Sequence, residues 1–586
     1  MKKLIIYCGL FISALAMMTS CGKSSNGSEI VGAADYIPFK FESDGQYGLL
    51  GKDGKPLFSE EFDNEITAAF EGIFVVKGEN GTYSLYKAQQ KPELVPGCED
   101  LVDVGAMSEG LIPIVKKDSR ISFVDKEGKE KFVLKPHNGK EITKAWMFYD
   151  GRAMIQTEDR KFGYIDKNGK VVVEPKYDFA VEFMNGVTFC GKANDNSEPN
   201  FIKIDKSGKE TKLSKNIIPF RIMNDLGSES FLFPVINTNE ICMKLDDKSE
   251  EFRTVLIDNN GKVTKTFPKK IRLVIDLGKE NYIFMDDEEK FGLNNSKDET
   301  IIRAKYEQMQ RLSNGNFLVA KSNDKFDIIN EKDEPVKSFG DDYSGMLYSP
   351  ALGFIFAETG RDKYELLDVD GNKVSQEEFI LEEESVIANS RAYSVTSDYF
   401  NADELAQKIV SALTTKGIGK LSIGQAFAIG DPKDYPTYTS ELNFVNKEKS
   451  GVNINVLPNK GDVSLNVNTK EYVINYDDQG DKQFNPNAKI ELIDLEVVLR
   501  DFKSKTDLAK SIIKNLKNKG YKVLVDGEYN ALFAKDNNVI RVYCHERNAY
   551  SGINIWENND NMSIEWQTKS CKESDEKINE KLKSEL

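Results

Sequence analysis

The sequence predicts a mainly β repeat protein followed by a C-terminal α+β domain, and three observations predict it. A strand-and-turn segment typified by FGYIDKNGKVVVEPKYDFAVEFMNG, residues 162–186, returns in degenerate form through residues 36–385. Past that point the recurrence stops and amphipathic helices begin. The first 20 residues have the composition of a processing signal and not of a fold element. Self-similarity at a fixed period marks a repeat array, in which each unit buries its apolar face against its neighbours.

At the N-terminus Lys2 and Lys3 precede an apolar run from Leu4 to Met18, and Thr19-Ser20-Cys21 follows. The run is shorter than the roughly 20 residues that span a bilayer. The pattern resembles a bacterial lipoprotein signal, with Met18 where Leu is commonest. The resemblance implies removal of residues 1–20, lipidation of Cys21 and a place in the bacterial cell envelope, with the outer membrane favoured over the inner. Cys8 lies too early to be the acceptor. Residues 21–35 read as a flexible tether, since Gly22 to Ala33 is rich in Gly and Ser. A dozen such residues reach about 20 Å. No acidic cluster follows Cys21, so the face of the membrane stays open.

Copies of the central strand and turn start at Tyr47, Thr82, Ile121, Phe162, Phe201, Thr254, Lys290, Lys325 and Lys363, with spacings of 35, 39, 41, 39, 53, 36, 35 and 38 residues. This is nine units near 38 residues. Each central strand follows another that often opens with Gly after an acid or Asn, as in Glu71-Gly72, Glu109-Gly110, Asp150-Gly151 and Asn185-Gly186. Short β-branched and aromatic runs bounded by Gly, Asn, Asp and Pro are strands. Asp-x-x-Gly closes each hairpin, the Asp side chain capping the reversal and Gly taking the left-handed conformation. Asp125, Asp166, Asp205, Asp258 and Asp368 share this position and are read as turn formers. A calcium loop at Asp368-Val-Asp370-Gly371 is disfavoured, because its twelfth position is Phe379 and not a bidentate acid.

Phe162, Gly163, Ile165, Asp166, Gly169, Lys170, Pro175, Tyr177 and Asp178 resemble the signature of the WG-repeat family, with Phe where Trp is usual. Phe291-Gly292 and Ala304-Lys-Tyr306 keep part of it, and the resemblance extends over the array. It implies a scaffold and no particular activity. Units of this size hold three or four strands, so a β-propeller of seven to nine blades is expected, with an open β-solenoid as the alternative. The unit spanning the 53-residue interval is expected to lie outside the ring or to bridge two blades.

Charge and composition narrow the partners. The formal net charge is -16, which speaks against nucleic acid and anionic lipid. Two histidines, His137 and His545, leave little room for His-dependent catalysis or His-rich metal sites. Cys544 and His545 adjoin on a strand and point to opposite faces. After Cys21 come Cys98, Cys190, Cys242, Cys544 and Cys571, too scattered for a disulfide framework; Cys190 and Cys242 are expected as buried thiols. Gly417-Ile-Gly419-Lys-Leu-Ser422 resembles part of a phosphate loop but follows a helix, so Lys416-Gly417 is read as helix termination.

Residues 390–571 read as an α+β domain. Asn401 and Glu404 form a capping box before Leu405, Ile409 and Leu413; Ser504 and Asp507 open a second helix before Leu508, Ile512 and Leu516, ended by Lys519-Gly520. The shared plan points to a duplicated unit or to two similar helices by chance. Strands are expected at NINVL, VSLNV, YVINY, YKVLV, NALFA, VIRVYC and INIW, with Trp556 as a core or binding residue. Trp566 is a second candidate for a binding surface. Residues 572–586 read as a charged tail, a frayed helix or disorder.

No catalytic constellation, cofactor or metal site emerges. The expected function is a lipid-anchored envelope scaffold that binds another protein, with glycan binding as the alternative and a carboxylate-dependent hydrolase as the weakest reading.

Overall fold

The structure, a computed structural model, describes residues 32–586 apart from 193–199, 222–240, 246–251, 382–392, 427–442, 445–449, 455–460, 477–481, 558–563 and single or paired positions elsewhere. The chain forms two compact units, Met1–Ser397 and Asp398–Leu586.

Among the described residues the first unit contains nine small antiparallel sheets, at residues 36–62, 73–94, 103–133, 142–177, 179–212, 217–266, 271–306, 308–338 and 345–380. Each runs as a meander. Burial falls toward the last strand: Ile112–Val115 is wholly buried, whereas Pro335–Ser338 is wholly exposed. The sheet that follows the 53-residue spacing is a regular four-stranded one, against the expectation that this unit lies out of series. Its extra length falls between Ile217–Pro219 and Ile241–Leu245, so a connection absorbs the insertion while the strands keep their packing.

The aspartate turns form as predicted. Asp125, Asp166, Asp205, Asp258 and Asp368 each accept two backbone N–H bonds on Oδ1, from the second and fourth residues onward, at 2.8–3.0 Å. Sheets seven and eight keep the turn with Asn295 and Asn330 in the aspartate's place. There Asp298 and Asp333 hold the left-handed position, at φ 68° and 67°.

The glycine of the aromatic-Gly pair has a packing reason. A Cβ on Gly163 would lie 2.6 Å from the Val173 carbonyl oxygen, and one on Gly292 would lie 2.7 Å from that of Ile302. The register slips beside both glycines, where the last strand bulges toward them.

Successive sheets share apolar clusters. Sheets one and two meet around Phe58 and Phe74, three and four around Phe123 and Phe148, four and five around Tyr164 and Phe183, five to eight around Val255 and Phe291, and eight and nine around Ile328 and Ile355. Another cluster gathers Phe39, Val75, Ile112 and Phe379 from sheets one, two, three and nine.

After the ninth sheet the chain returns to the fourth. Ser394–Thr396, beyond the predicted end of the array at 385, pairs with Ile142–Tyr149 as a fifth strand. Val395 is fully buried there, and the Thr396 N–H donates to Asp103 Oδ2 at 2.7 Å. The predicted tether is shorter than 21–35, because Ala34 is buried and the Asp35 N–H donates to the Ala69 carbonyl oxygen.

The second unit is built on a seven-stranded antiparallel sheet. Its strands are β1 (Asn443–Phe444), β2 (Gly461–Lys470), β3 (Lys489–Leu499), β4 (Lys522–Val525), β5 (Ala531–Lys535), β6 (Asn538–Cys544) and β7 (Tyr550–Glu557), in the order β1-β2-β3-β7-β6-β5-β4. One face carries Val463, Leu465, Ile493, Leu495, Val542 and Ile553 against helices α1 (Ala402–Ala412) and α2 (Phe502–Asn518). Asn401 caps α1 by accepting the Glu404 N–H at 3.2 Å.

Three local expectations fail. Helix α1 ends at Ala412, with Leu413 extended; Gly417 sits in a two-residue strand and Gly419, at φ 57°, makes the turn to Leu421–Ser422. The β-branched Thr414-Thr415 pair favours this earlier exit. Helix α2 starts at Phe502, so Ser504 lies in its first turn. Residues 572–585 are helical but not frayed: they continue α3 (Ile564–Glu585), in which Cys571 and Ile578 are buried. Asp575 of α3 accepts from the N–H groups of Glu528 and Tyr529 at 2.6 and 3.2 Å. Of the predicted strands, NINVL falls largely outside the described residues.

Candidate functional site

The residues singled out by sequence separate into structural positions and positions that the structure does not describe. Cys21 and residues 1–31 lie outside the described residues. The five repeated aspartates are hairpin caps. Cys98, Cys190, Cys242, Cys544 and Cys571 are buried free thiols. Burial pushes Cys190 and Cys544 up to about 12, which removes thiolate chemistry at neutral pH. Cys544 is buried while the adjacent His545 is exposed, as strand alternation requires. His137 Nε2 lies 2.8 Å from Glu174 Oε2. Trp556 belongs to the core with Leu532, Val539 and Cys571. The side chain of Trp566 lies outside the described residues. Among the described residues no group of three or more His, Cys, Asp or Glu side chains is arranged to hold a metal ion.

The acid-Gly pairs do more than turn the chain. Glu71, Glu109, Asp150 and Asn185 have φ between 50° and 54° and each precedes a glycine at positive φ, the two-residue hairpin with both positions left-handed. The carboxylates of the three acids reach the next sheet, and so does that of Asp35. Asp35 accepts the Gly72 N–H at 3.1 Å, Glu71 those of Glu109 and Gly110 at 2.6 and 2.8 Å, Glu109 that of Gly151 at 3.0 Å, and Asp150 that of Gly186 at 2.7 Å. Thus four successive junctions are tied by the same charge-assisted bond, each worth about 1.5–3 kcal/mol when shielded from water and less when exposed. Tyrosines add to these ties: Tyr177 donates to Glu210 at 2.7 Å across the same fourth-to-fifth junction, and Tyr306 to Asp333 at 2.6 Å between sheets seven and eight. Lys176 and Lys305 join the same carboxylates.

The concentration of polar chemistry outside these repeated ties lies on the second unit's sheet, on the face opposite α1 and α2. One row crosses four strands: Asn466 on β2, Asp494 on β3, Asn554 on β7 and Arg541 on β6 are successive register partners. The adjoining row is Ser464, Glu496, Gly552 and Tyr543. Gly552 leaves the space over which Tyr543 lies: a Cβ there would be 3.0 Å from its hydroxyl oxygen. That hydroxyl donates to Asp494 Oδ1 at 2.9 Å, and Asn554 Nδ2 donates to the same oxygen at 2.7 Å. Ser464 donates to Glu496 Oε2 at 3.2 Å. Arg541 is directed to α3, through Gln567 at 2.8 Å and Ser570 at 3.2 Å.

Burial pushes the Asp494 carboxyl up to about 6, with the nearby Glu496 adding to the rise and the bonds from Tyr543 and Asn466 opposing it. Glu496 is also raised by burial. The acids ionise reluctantly because they leave water without a counter-charge.

Sequence reasoning missed β3 and with it both acids. The signal was present in Ile493-Asp-Leu495-Glu-Val497-Val-Leu499, a period-two apolar pattern whose odd positions are all buried.

Comparison with known proteins places one segment. A family profile described as "WG containing repeat" matches residues 162–189. No curated protein matches the chain. Among solved structures, BamB from Moraxella catarrhalis is similar at 11% identity and a TM-score of 0.28, covering 63% of this chain and 97% of its own. The WD40 β-propeller domain of Doa1 is similar at 13% identity and a TM-score of 0.20, covering 60% and 99% respectively. Residues 162–189, which run from the last two strands of the fourth sheet into the second strand of the fifth, are therefore a WG-repeat-like segment.

Proposed function

We propose that the protein is a lipid-anchored envelope scaffold whose array closes into a β-propeller ring and binds another protein without catalysing a reaction. The observation that carries the reading is the bond between the two ends of the array. In the interior of the array, Asp178 follows Tyr177 and donates its N–H to Gly191 of the next sheet at 2.9 Å. Ile380 follows Phe379, which occupies the place of Tyr177, and donates its N–H to Lys40 of the first sheet at 2.8 Å. Among the described residues the first sheet has no strand before Tyr36–Phe39, and the end of the ninth sheet supplies the contact. A closed ring leaves few edges exposed.

The conserved chemistry of each copy is engaged in turns and junctions, which leaves recognition to the loops and to the second unit. The Lys2-Lys3, apolar run and Cys21 pattern supports anchoring in the bacterial envelope, with the outer membrane favoured. The exposed large apolar side chains among the described residues are Leu, Ile and Val, so no aromatic platform favours the glycan alternative.

Two experiments test this. Mass spectrometry of the mature protein is expected to show a diacylglyceryl N-terminus at residue 21, abolished by Cys21→Ser. Photo-crosslinkers placed in exposed array loops of the full chain are expected to trap one recurrent envelope protein. Capture of none, or an unmodified N-terminus, overturns the corresponding half.

A further inference from the structure

Asn466 is 4% exposed and its Oδ1 meets no hydrogen-bond donor, although its amide bonds to Asp494 across the strand pair. That bond fixes the side chain's orientation, since only Nδ2 can donate to the carboxylate. An orphan acceptor at this depth has given up its water without replacement. Beside it, Tyr543 and Asn554 donate to Oδ1 of Asp494 and the hydroxyl of Ser464 goes to Oε2 of Glu496. Among the described residues Oε1 of Glu496 accepts no hydrogen bond, and the two acids lie in adjacent rows of the same face. Among the described residues no Lys or Arg forms an ion pair with either acid, and both Arg541 Nη atoms are held by α3.

We infer that this patch of β2 and β3 is a binding site for an organic cation with N–H donors, an ammonium or guanidinium group, held by Asn466, Asp494 and Glu496. Two open acceptors, Asn466 Oδ1 and Glu496 Oε1, beside the Asp494 carboxylate match a group that presents directed N–H bonds and a positive charge. A hard metal ion fits less well, since calcium takes six to eight oxygens and the patch offers two acids and one amide. The lysine or arginine side chain of a protein partner carries this chemistry. The inference stands independently of whether the array closes into a ring.

Calorimetric titration of the full chain with N-acetyl-arginine amide and N-acetyl-lysine amide tests it. The neutral isostere N-acetyl-citrulline amide and calcium chloride are the comparison arms. Saturable binding of the cationic probes is expected, absent for citrulline and at least tenfold weaker in Glu496→Gln and in Asp494→Asn. Glu496→Gln decides alone if Asp494→Asn lowers the folded fraction. Equal binding of citrulline, no binding of either cation, affinity unchanged by Glu496→Gln, or saturable binding of calcium alone overturns the assignment.

Discussion

Lys40 and Ile380 exchange two backbone hydrogen bonds, at 3.0 and 2.8 Å, from opposite ends of the array. Phe39 and Phe41 meet Phe379 around the same junction, with ring centroids 5.2 and 5.8 Å away. The end-to-end contact thus combines a ladder bond with apolar packing.

Ile380→Pro removes one of these donors and is expected to destabilise the first unit by about 3 kcal/mol. Hydrogen exchange should report faster opening of Tyr36–Phe39 as well as of the ninth sheet. Loss confined to the ninth sheet would indicate that the ends are energetically independent.

Gly163→Ala forces a methyl group against the Val173 carbonyl and Pro175. A loss of about 2 kcal/mol or more is expected in urea unfolding, with the ring of Phe162 displaced. The same change at Gly315, where no atom lies within 4 Å but φ is +90°, should cost only the backbone strain of about 1–2 kcal/mol.

Two left-handed residues should respond oppositely to glycine. Glu289, at φ 62°, has only a distant contact with Arg272 at 3.8 Å, so Glu289→Gly is expected to be neutral or to gain about 0.5 kcal/mol. Asp333→Gly relieves the same strain but frees the Tyr306 hydroxyl and Lys305. A net loss near 1 kcal/mol is expected, and thermal unfolding of the pair measures the difference.

The raised Asp494 carboxyl fixes the sign of a pH effect. Its folded value of about 6 lies above the unfolded value near 3.9, so the folded state binds the proton more tightly and stability falls as pH rises from about 4 to 6. Asp494→Asn should therefore stabilise the second unit above pH 6, by an amount on the order of 2 kcal/mol, and lose that advantage at pH 4. Melting temperatures of both proteins across this range supply the check. Bound cation should shrink the difference.

The five described thiols should resist a thiol reagent in the folded chain and react together on unfolding, since each is buried. Reaction of Cys190 under native conditions would contradict its place beside Tyr164 in the core of sheets four and five.

The local half of this architecture was legible. An Asp with Gly three residues later, directly after an apolar strand, makes the same turn in five units, so Asp166 and Gly169 announced a hairpin. Glu71 announced a turn but not its bond to Gly110, because that partner belongs to the next unit and only packing brings them together. Residues 572–586 misled for the same reason: they are rich in Lys and Glu, and only docking reveals that Ile578 and Asp575 face the sheet. Asp494 and Glu496 interrupt the apolar run of β3, and a reader weighing charge over period passes the longest strand by.

The return of Ser394–Thr396 to the fourth sheet has a mechanical meaning. Along the chain, tension arriving from the second unit meets this strand before it meets the ninth sheet. It loads a short antiparallel clip against Ile142–Tyr149, reinforced by the Asp103 carboxylate.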